Sequence, residues 1–146
     1  MPVKKTQKLT SKGVRMIMDA AIARANEFNI AVTIAIVDAG GHLLMLERMD
    51  GGRFHTVHSS TTKAVCAASN MRPTTAHGAQ AQSLDTMHAL GLALAAGPGN
   101  YTAMEGGFPI FMNNECIGGI GVSGGDWEQD EVIAKVSLAA IEATFQ

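Results

Sequence analysis

Two histidines three positions apart, His55 and His58, stand just ahead of Lys63 in the stretch from Phe54 to Ser69, which reads as a helix. That spacing puts both imidazoles on one helix face, near Ser59, Thr62 and Lys63. Two such rings can share a metal, hold one side of a haem iron, or act as an acid–base pair. A solvated helix face with a histidine near its start is the plainer alternative. A metal held by protein alone would need a third ligand, and no sequence neighbour offers one. Lys63 lies about a turn beyond His58; if buried, its amine would have a lowered pKa, and an exposed lysine is the ordinary case. Glu105, immediately before Gly106-Gly107, is a loop carboxylate able to serve as a general base or to point to water. Arg48 or Arg53 could hold a substrate carboxylate, although Arg48 and Asp50 flank a strand end and could pair with each other. His42 follows a glycine turn and either shapes it or faces a pocket. His77 and His88 lie in a less regular segment.

Beside these groups runs Gly118-Gly119-Ile120-Gly121-Val122-Ser123-Gly124-Gly125, a strand with little side chain entering a turn. Such a strand is kept where another backbone, a helix or a ligand must come very close. Packing of a helix and a ligand-facing wall are both open readings for Gly119 and Gly121. Asp126 with Gln129 then forms a capping-box-like helix start, and Glu128 and Asp130 suit the dipole of its first turn.

Elements to position these groups follow from periodicity. Val14, Ile17, Met18, Ala21, Ile22, Ala25 and Phe28 mark one apolar helix face, with Thr10 or Ser11 as N-cap and Asn29 as a stop. Residues 31–37 are nearly continuously apolar and β-branched, as expected of a strand covered on both faces. Asp38 to Gly41 is a turn, and His42 to Met49 the returning strand. The helix from Phe54 to Ser69 turns Val57, Ala64, Val65 and Ala68 inward. Thr74 or Thr75 is expected to cap a looser helix through Met87 and onward to Leu94. Pro109–Met112 and Cys116–Ser123 form a second hairpin about Asn113-Asn114. Val132, Ile133, Val136, Ala140 and Ala143 drive a final helix. Two hairpins separated by helices favour an antiparallel sheet with helices packed against it, an α+β fold.

The 146 residues make one domain, with 47% hydrophobic and only 16% charged residues and a formal net charge of −2. This balance gives no basic stripe for nucleic acid and no membrane span, and part of the apolar excess is expected to cover an interface between copies. Without a signal-peptide h-region the chain reads as cytoplasmic. Cys66 and Cys116 fit neither a CxxC nor a zinc spacing and read as buried packing residues. Nine methionines, among them Met45, Met49, Met71, Met87 and Met104, could line a soft pocket or fill the core.

Four ordered motifs then carry a resemblance: Ile36 to Leu43, Arg48-Met49-Asp50-Gly51, Gly106-Gly107-Phe108-Pro109-Ile110, and Ile117 to Gly125 with Glu128-Gln129-Asp130-Glu131. Together they resemble the GlcG/HbpS family of haem-degrading and haem-binding proteins, including the C-terminal domain of PduO-type proteins, from about Leu9 onward. The resemblance implies a profilin-like fold, a five-stranded antiparallel sheet with helices on both sides. It also implies homo-oligomers, from dimers up to octamers, and a haem or similar planar ligand in a small-ligand-binding protein. The acidic iron-binding motif of the haem-sensing branch is missing, since Ser11-Lys12-Gly13-Val14-Arg15 stands in its place. The alternative is a small catabolic enzyme, an isomerase, tautomerase or hydrolase, doing acid–base chemistry on a carbonyl or carboxylate substrate. Its acid–base candidates are His55, His58, Lys63 and Glu105. Ligand-contact candidates are His42, Arg48, Arg53, Gly107, Phe108, Gly119 and Gly121.

Overall fold

A computed structural model describes residues 1–146. Helix α1 (Ser11–Glu27) starts where the Thr10 side chain accepts from the Gly13 N–H, and Asn29 beyond its end takes a positive φ of 57°. Strands β1 (Thr33–Asp38) and β2 (Leu43–Arg48) form the first hairpin, and α2 (Thr56–Asn70) follows. After α3 (Thr86–Ala96), strands β3 (Gly107–Met112) and β4 (Glu115–Ser123) form the second hairpin. Its turn residues Asn113 and Asn114 have φ of 51° and 65°, as a two-residue hairpin turn requires. Helix α4 (Trp127–Ser137) begins with the expected capping box, Asp126 and Gln129 each bonding the other's backbone, and runs into a 3₁₀ turn (Leu138–Ile141).

The sheet is antiparallel in the order β2-β1-β4-β3, with Ile36 opposite Ile120 and Ile110 opposite Gly118. It has four strands where five were expected. At the free edge of β3 the chain returns for a single residue pair, Thr144 with Phe111, joined by two backbone hydrogen bonds of 2.7 and 3.0 Å. The 3₁₀ turn and the left-handed Glu142 hold the backbone out of extended conformation until Ala143, so no longer ladder forms there.

The two faces of the sheet are built differently. One carries Ile34, Ile36, Phe108, Ile110, Ile120 and Val122 against α1 and α4, forming the main core with Val14, Ile17, Met18, Ile133 and Leu138. The other carries Ala35 and Val37 against Ala64 and Ala68 of α2. Here the glycines matter: a Cβ on Gly121 would collide with the Ser60 carbonyl oxygen, one on Gly119 with that of Ala64, and one on Gly107 with that of Lys63. Backbone therefore lies on backbone, and α2 is seated closer to the sheet than any Cβ would permit.

Three helix readings change. Val57 is exposed and Val65 only half-buried, because α2 presents Ser60, Lys63, Ala64, Ala67 and Ala68 to the sheet instead. Val136 is exposed because α4 buries Asp130, Ile133, Ala134 and Ser137. No helix starts at Thr74 or Thr75. Thr74 is instead tied to the first residue of β3, its N–H donating to the Gly107 carbonyl and its Oγ1 accepting from the Gly107 N–H, both at 2.9 Å. The cap of α3 is Asp85, whose carboxylate accepts from the His88 N–H at 2.7 Å. Helix α3 has no buried residue and leaves Met87, Leu90, Leu92 and Leu94 exposed.

Gly121→Ala is expected to destabilise the protein by about 2–3 kcal/mol, since neither backbone can yield without moving its element. Gly91→Ala in α3, where an added Cβ meets nothing within 4 Å, is the control and is expected to be neutral or to stabilise by up to about 1 kcal/mol. Urea unfolding of both variants reads the difference.

Candidate functional site

At the end of the sheet where β4 gives way to α4, the first turns of α2 overhang the Gly124-Gly125 turn, and the loop after α3 closes the gap. The result is an open cleft of about 450 Å³. Its walls bring together Arg53, His55, His58 and Lys63 from α2 and its approach, Glu105 from the loop, and Asp130 from α4. Ser59, Thr62 and Ser123 add hydroxyls, and Trp127, Met104 and Tyr101 add apolar or aromatic surface. His55, His58, Lys63, Glu105 and Arg53 were all expected as site residues, and the fold gathers these five in one place.

The floor is a buried ion pair. Lys63 Nζ donates to the Val122 carbonyl at 2.7 Å and lies 3.3 Å from Asp130 Oδ2; the two side chains are 6% and 5% exposed. The other carboxylate oxygen, Oδ1, accepts from the Gly125 N–H at 2.9 Å. Since α2 and α4 lie on opposite faces of the sheet, this pair ties them together around its end. Burial pushes the Lys63 amine below the usual lysine range, opposed by the charges of Asp130 and Glu105. Burial likewise pushes the Asp130 carboxyl up, opposed by Lys63 and by the Gly125 N–H. Ser59 and Ser123 share a hydrogen bond of 2.6 Å, and Thr33 and Thr56 another of 2.7 Å, so the start of α2 is also pinned by hydroxyls.

Other expected site residues lie elsewhere. His42 is exposed in a separate cleft between the Asp38–Gly41 turn and residues 6–9. Arg48 is exposed on the far side, beside Ile22 and Asn26. It does not pair with Asp50, the ion pairs being Arg24–Glu27 and Lys63–Asp130. Gly107, Gly119 and Gly121 lie beneath α2 and line none of the larger clefts, and Phe108 belongs to the main core, edge-on to Phe145. Cys66 is buried, Cys116 half-buried, and both are free thiols. Of the methionines singled out, Met45 and Met49 pack on the core, and Met104 alone faces the cleft. Asp130 had been read only as a charge suited to the helix dipole. The available signal was its place in the buried stripe Asp130, Ile133, Ala134 and Ser137. No group of three or more His, Cys, Asp or Glu side chains is placed to hold a metal ion.

Asp130→Asn is expected to cost about 3–5 kcal/mol by leaving the ammonium buried without its counter-charge, whereas Lys63→Met with Asp130→Leu recovers most of that loss. The pH dependence has a definite sign. As pH rises through the raised Asp130 value, the native state loses a proton that the unfolded chain has already lost, and this group's contribution falls. As pH rises from the lowered Lys63 value towards the ordinary lysine value, the native amine is already neutral and the contribution recovers. The double variant's stability relative to wild type is therefore expected to peak near neutrality, as read by urea unfolding at acid, neutral and alkaline pH.

The chain matches the family described as haem degrading protein, HbpS-like, over residues 9–139. It is 30% identical over 130 residues to an uncharacterised 15.0 kDa protein of the dhaT-dhaS intergenic region of Citrobacter freundii, covering 89% of each chain. The fold superposes on the crystal structure of Klebsiella pneumoniae protein ORFY with a TM-score of 0.82 at 32% identity, covering 94% of this chain and 93% of that one. It superposes equally well, at 0.82 and 26% identity, on a crystal structure of a PduOC–haem complex, covering 96% and 99%. With its match spanning nearly the whole domain and its α+β fold shared with these solved structures, this chain belongs to the HbpS-like family.

Proposed function

We propose that the protein binds a haem-type ligand, a planar apolar body carrying carboxylates, in the cleft between the starts of α2 and α4. The observation that carries this reading is the juxtaposition, in one open cleft, of two imidazoles, an exposed guanidinium and exposed apolar surface. His55 or His58 would supply the nitrogen that holds the iron; haem, unlike a bare ion, brings most of its own ligands and asks only one or two donors of the protein. Arg53, exposed and lining the cleft, would receive a carboxylate. Trp127 and Met104, 54% and 62% exposed, offer the macrocycle an aromatic and a polarisable surface. The description of the family as haem degrading and the solved PduOC–haem complex point the same way. Bound haem would supply redox-active iron, and the chain's own part is to bind, orient and partly shield it.

The protein works in this reading as a homo-oligomer whose copies meet through α3. That helix carries no Asp, Glu, Lys or Arg and has apolar residues on every side, which is the composition of a helix buried by neighbours. No helix in the protein is long and apolar enough to cross a membrane.

Haemin added to the purified protein is expected to give a saturable Soret shift at one haem per chain. His55→Ala with His58→Ala should abolish it, and Arg53→Ala should weaken binding about tenfold. A shift kept in the double-histidine variant would move the axial ligand to another site, His42 first, and absence of any saturable shift would overturn the reading. In sedimentation, wild type should run as an oligomer at micromolar concentration, and Leu90→Glu with Leu94→Glu should release smaller species.

A further inference from the structure

Haem binding makes no use of the deepest feature of the cleft, an amine at its floor joined to a carboxylate in a nearly water-free setting. Three geometric facts set Lys63 apart from the other five lysines, all of which are exposed. Its Nζ has two protein partners, Val122 O and Asp130 Oδ2, so one of the three ammonium N–H groups is uncommitted. Asp130 is held from behind by the Gly125 N–H on Oδ1, which leaves Oδ2 to exchange a proton with the amine. The buried Gly106 stands beside Nζ, where a Cβ would be only 3.1 Å from the nitrogen, and Lys63 itself is among the residues that line the cleft.

We propose that Lys63 is a carbonyl-reactive amine and that the floor of the cleft takes a small 2-oxo acid, its carboxylate held by Arg53 and its carbonyl carbon bonded by Nζ. The step balances within the site. Lys63 gives a proton to Asp130, and the freed lone pair forms the C–N bond while the carbonyl oxygen takes the proton back. A second proton from nitrogen leaves with that oxygen as water, and the product is a protonated imine. Ammonium and ketone have become iminium and water, with no oxidant or reductant consumed. Burial makes the first transfer easier than between the same groups in water, since it lowers the amine and raises the carboxyl. With the imine in place, Glu105 on the facing wall is the carboxylate available to remove a proton from the adjacent carbon, which makes the cleft competent for tautomerisation.

This inference goes beyond the haem reading and does not need it. Its test is run without haem and its failure is separate from a failed haemin titration. The full-length protein is incubated with pyruvate and cyanoborohydride, then examined by intact mass and peptide mapping. With Arg53 holding the oxo acid's carboxylate beside the amine, Lys63 is expected to be labelled about tenfold above Lys4, Lys5, Lys8, Lys12 or Lys135. Lys63→Arg keeps the charge facing Asp130 and is expected to lose this label alone. Arg53→Ala should raise the pyruvate concentration for half-labelling about tenfold while leaving labelling by acetaldehyde, which has no carboxylate, unchanged. Label spread evenly over the surface lysines, or an unlabelled Lys63, would overturn the assignment even if Lys63→Arg failed to fold. An Arg53→Ala variant with unaltered pyruvate dependence would overturn the carboxylate recognition.

Discussion

The close seat of α2 on the sheet is the constraint on which the rest of the structure depends. Gly107, Gly119 and Gly121 surrender their side chains to the carbonyls of Lys63, Ala64 and Ser60, and α2 answers with Ala64 and Ala68. A helix held this near has no room beneath it for a long side chain. Lys63, although on the sheet-facing side, must send its chain along the surface towards the end of β4, where it meets Val122 O and Asp130. The turn after β4 must likewise stay small, and Gly124, with a φ of 130° and its absent Cβ only 3.0 Å from the Ala31 carbonyl, lets the chain reverse into α4. The cleft is the gap left between a helix pressed down on one face of the sheet and one that starts just past its end. Its position follows from packing alone.

A buried ion pair in that position is a weak source of stability, because removing two charges from water costs about as much as their attraction returns. The neighbouring hydroxyl bonds, Ser59 to Ser123 and Thr33 to Thr56, already hold the start of α2 to the sheet. An apolar pair of similar volume would serve the fold nearly as well. The pair therefore makes most physical sense as chemistry: it keeps an amine desolvated, adjacent to a proton acceptor and next to an opening. Glu105 and Arg53 line the same opening and extend that logic, since a small oxo acid entering it meets both a guanidinium and a carboxylate.

How far these features could be read in advance depended on whether they were local. Thr10, the Asp126–Gln129 box and Asn113-Asn114 act within a few residues of themselves, and the structure has each doing what its type suggests. Strand β1 was legible for the same reason, as a run of β-branched residues is buried wherever it lies. Failures came where a residue's partner is distant. Thr74 has the chemistry of an N-cap, but its hydroxyl is taken by Gly107, 33 positions away, and the cap of α3 falls to Asp85. The glycines of β4 permitted a ligand wall or a helix seat, and only the location of Ser60 and Ala64 decides between them. Lys63 and Asp130 each stood in an apolar stripe on its own helix, the clearest sign of a buried charge. Their pairing across 67 positions was not visible, and Asp130 was passed over.

Helix α3 connects the outside of the molecule to the cleft. Its eleven residues span about 16 Å, too short for a membrane. Its last turn gives directly onto the loop that carries Pro98, Tyr101, Thr102, Met104 and Glu105, one whole wall of the cleft. The far part of that loop is fixed within one copy: the Thr102 carbonyl accepts from the Cys66 thiol of α2 at 3.6 Å, and the Gly106 carbonyl from the Val122 N–H at 2.9 Å. Its near end joins α3, which has no buried residue. A ligand that draws the near part of the wall, Pro98 and Tyr101, inward must shift α3 in turn. Ligand occupancy and the covering of α3 are therefore linked through one short segment, and each must alter the free energy of the other by the same amount.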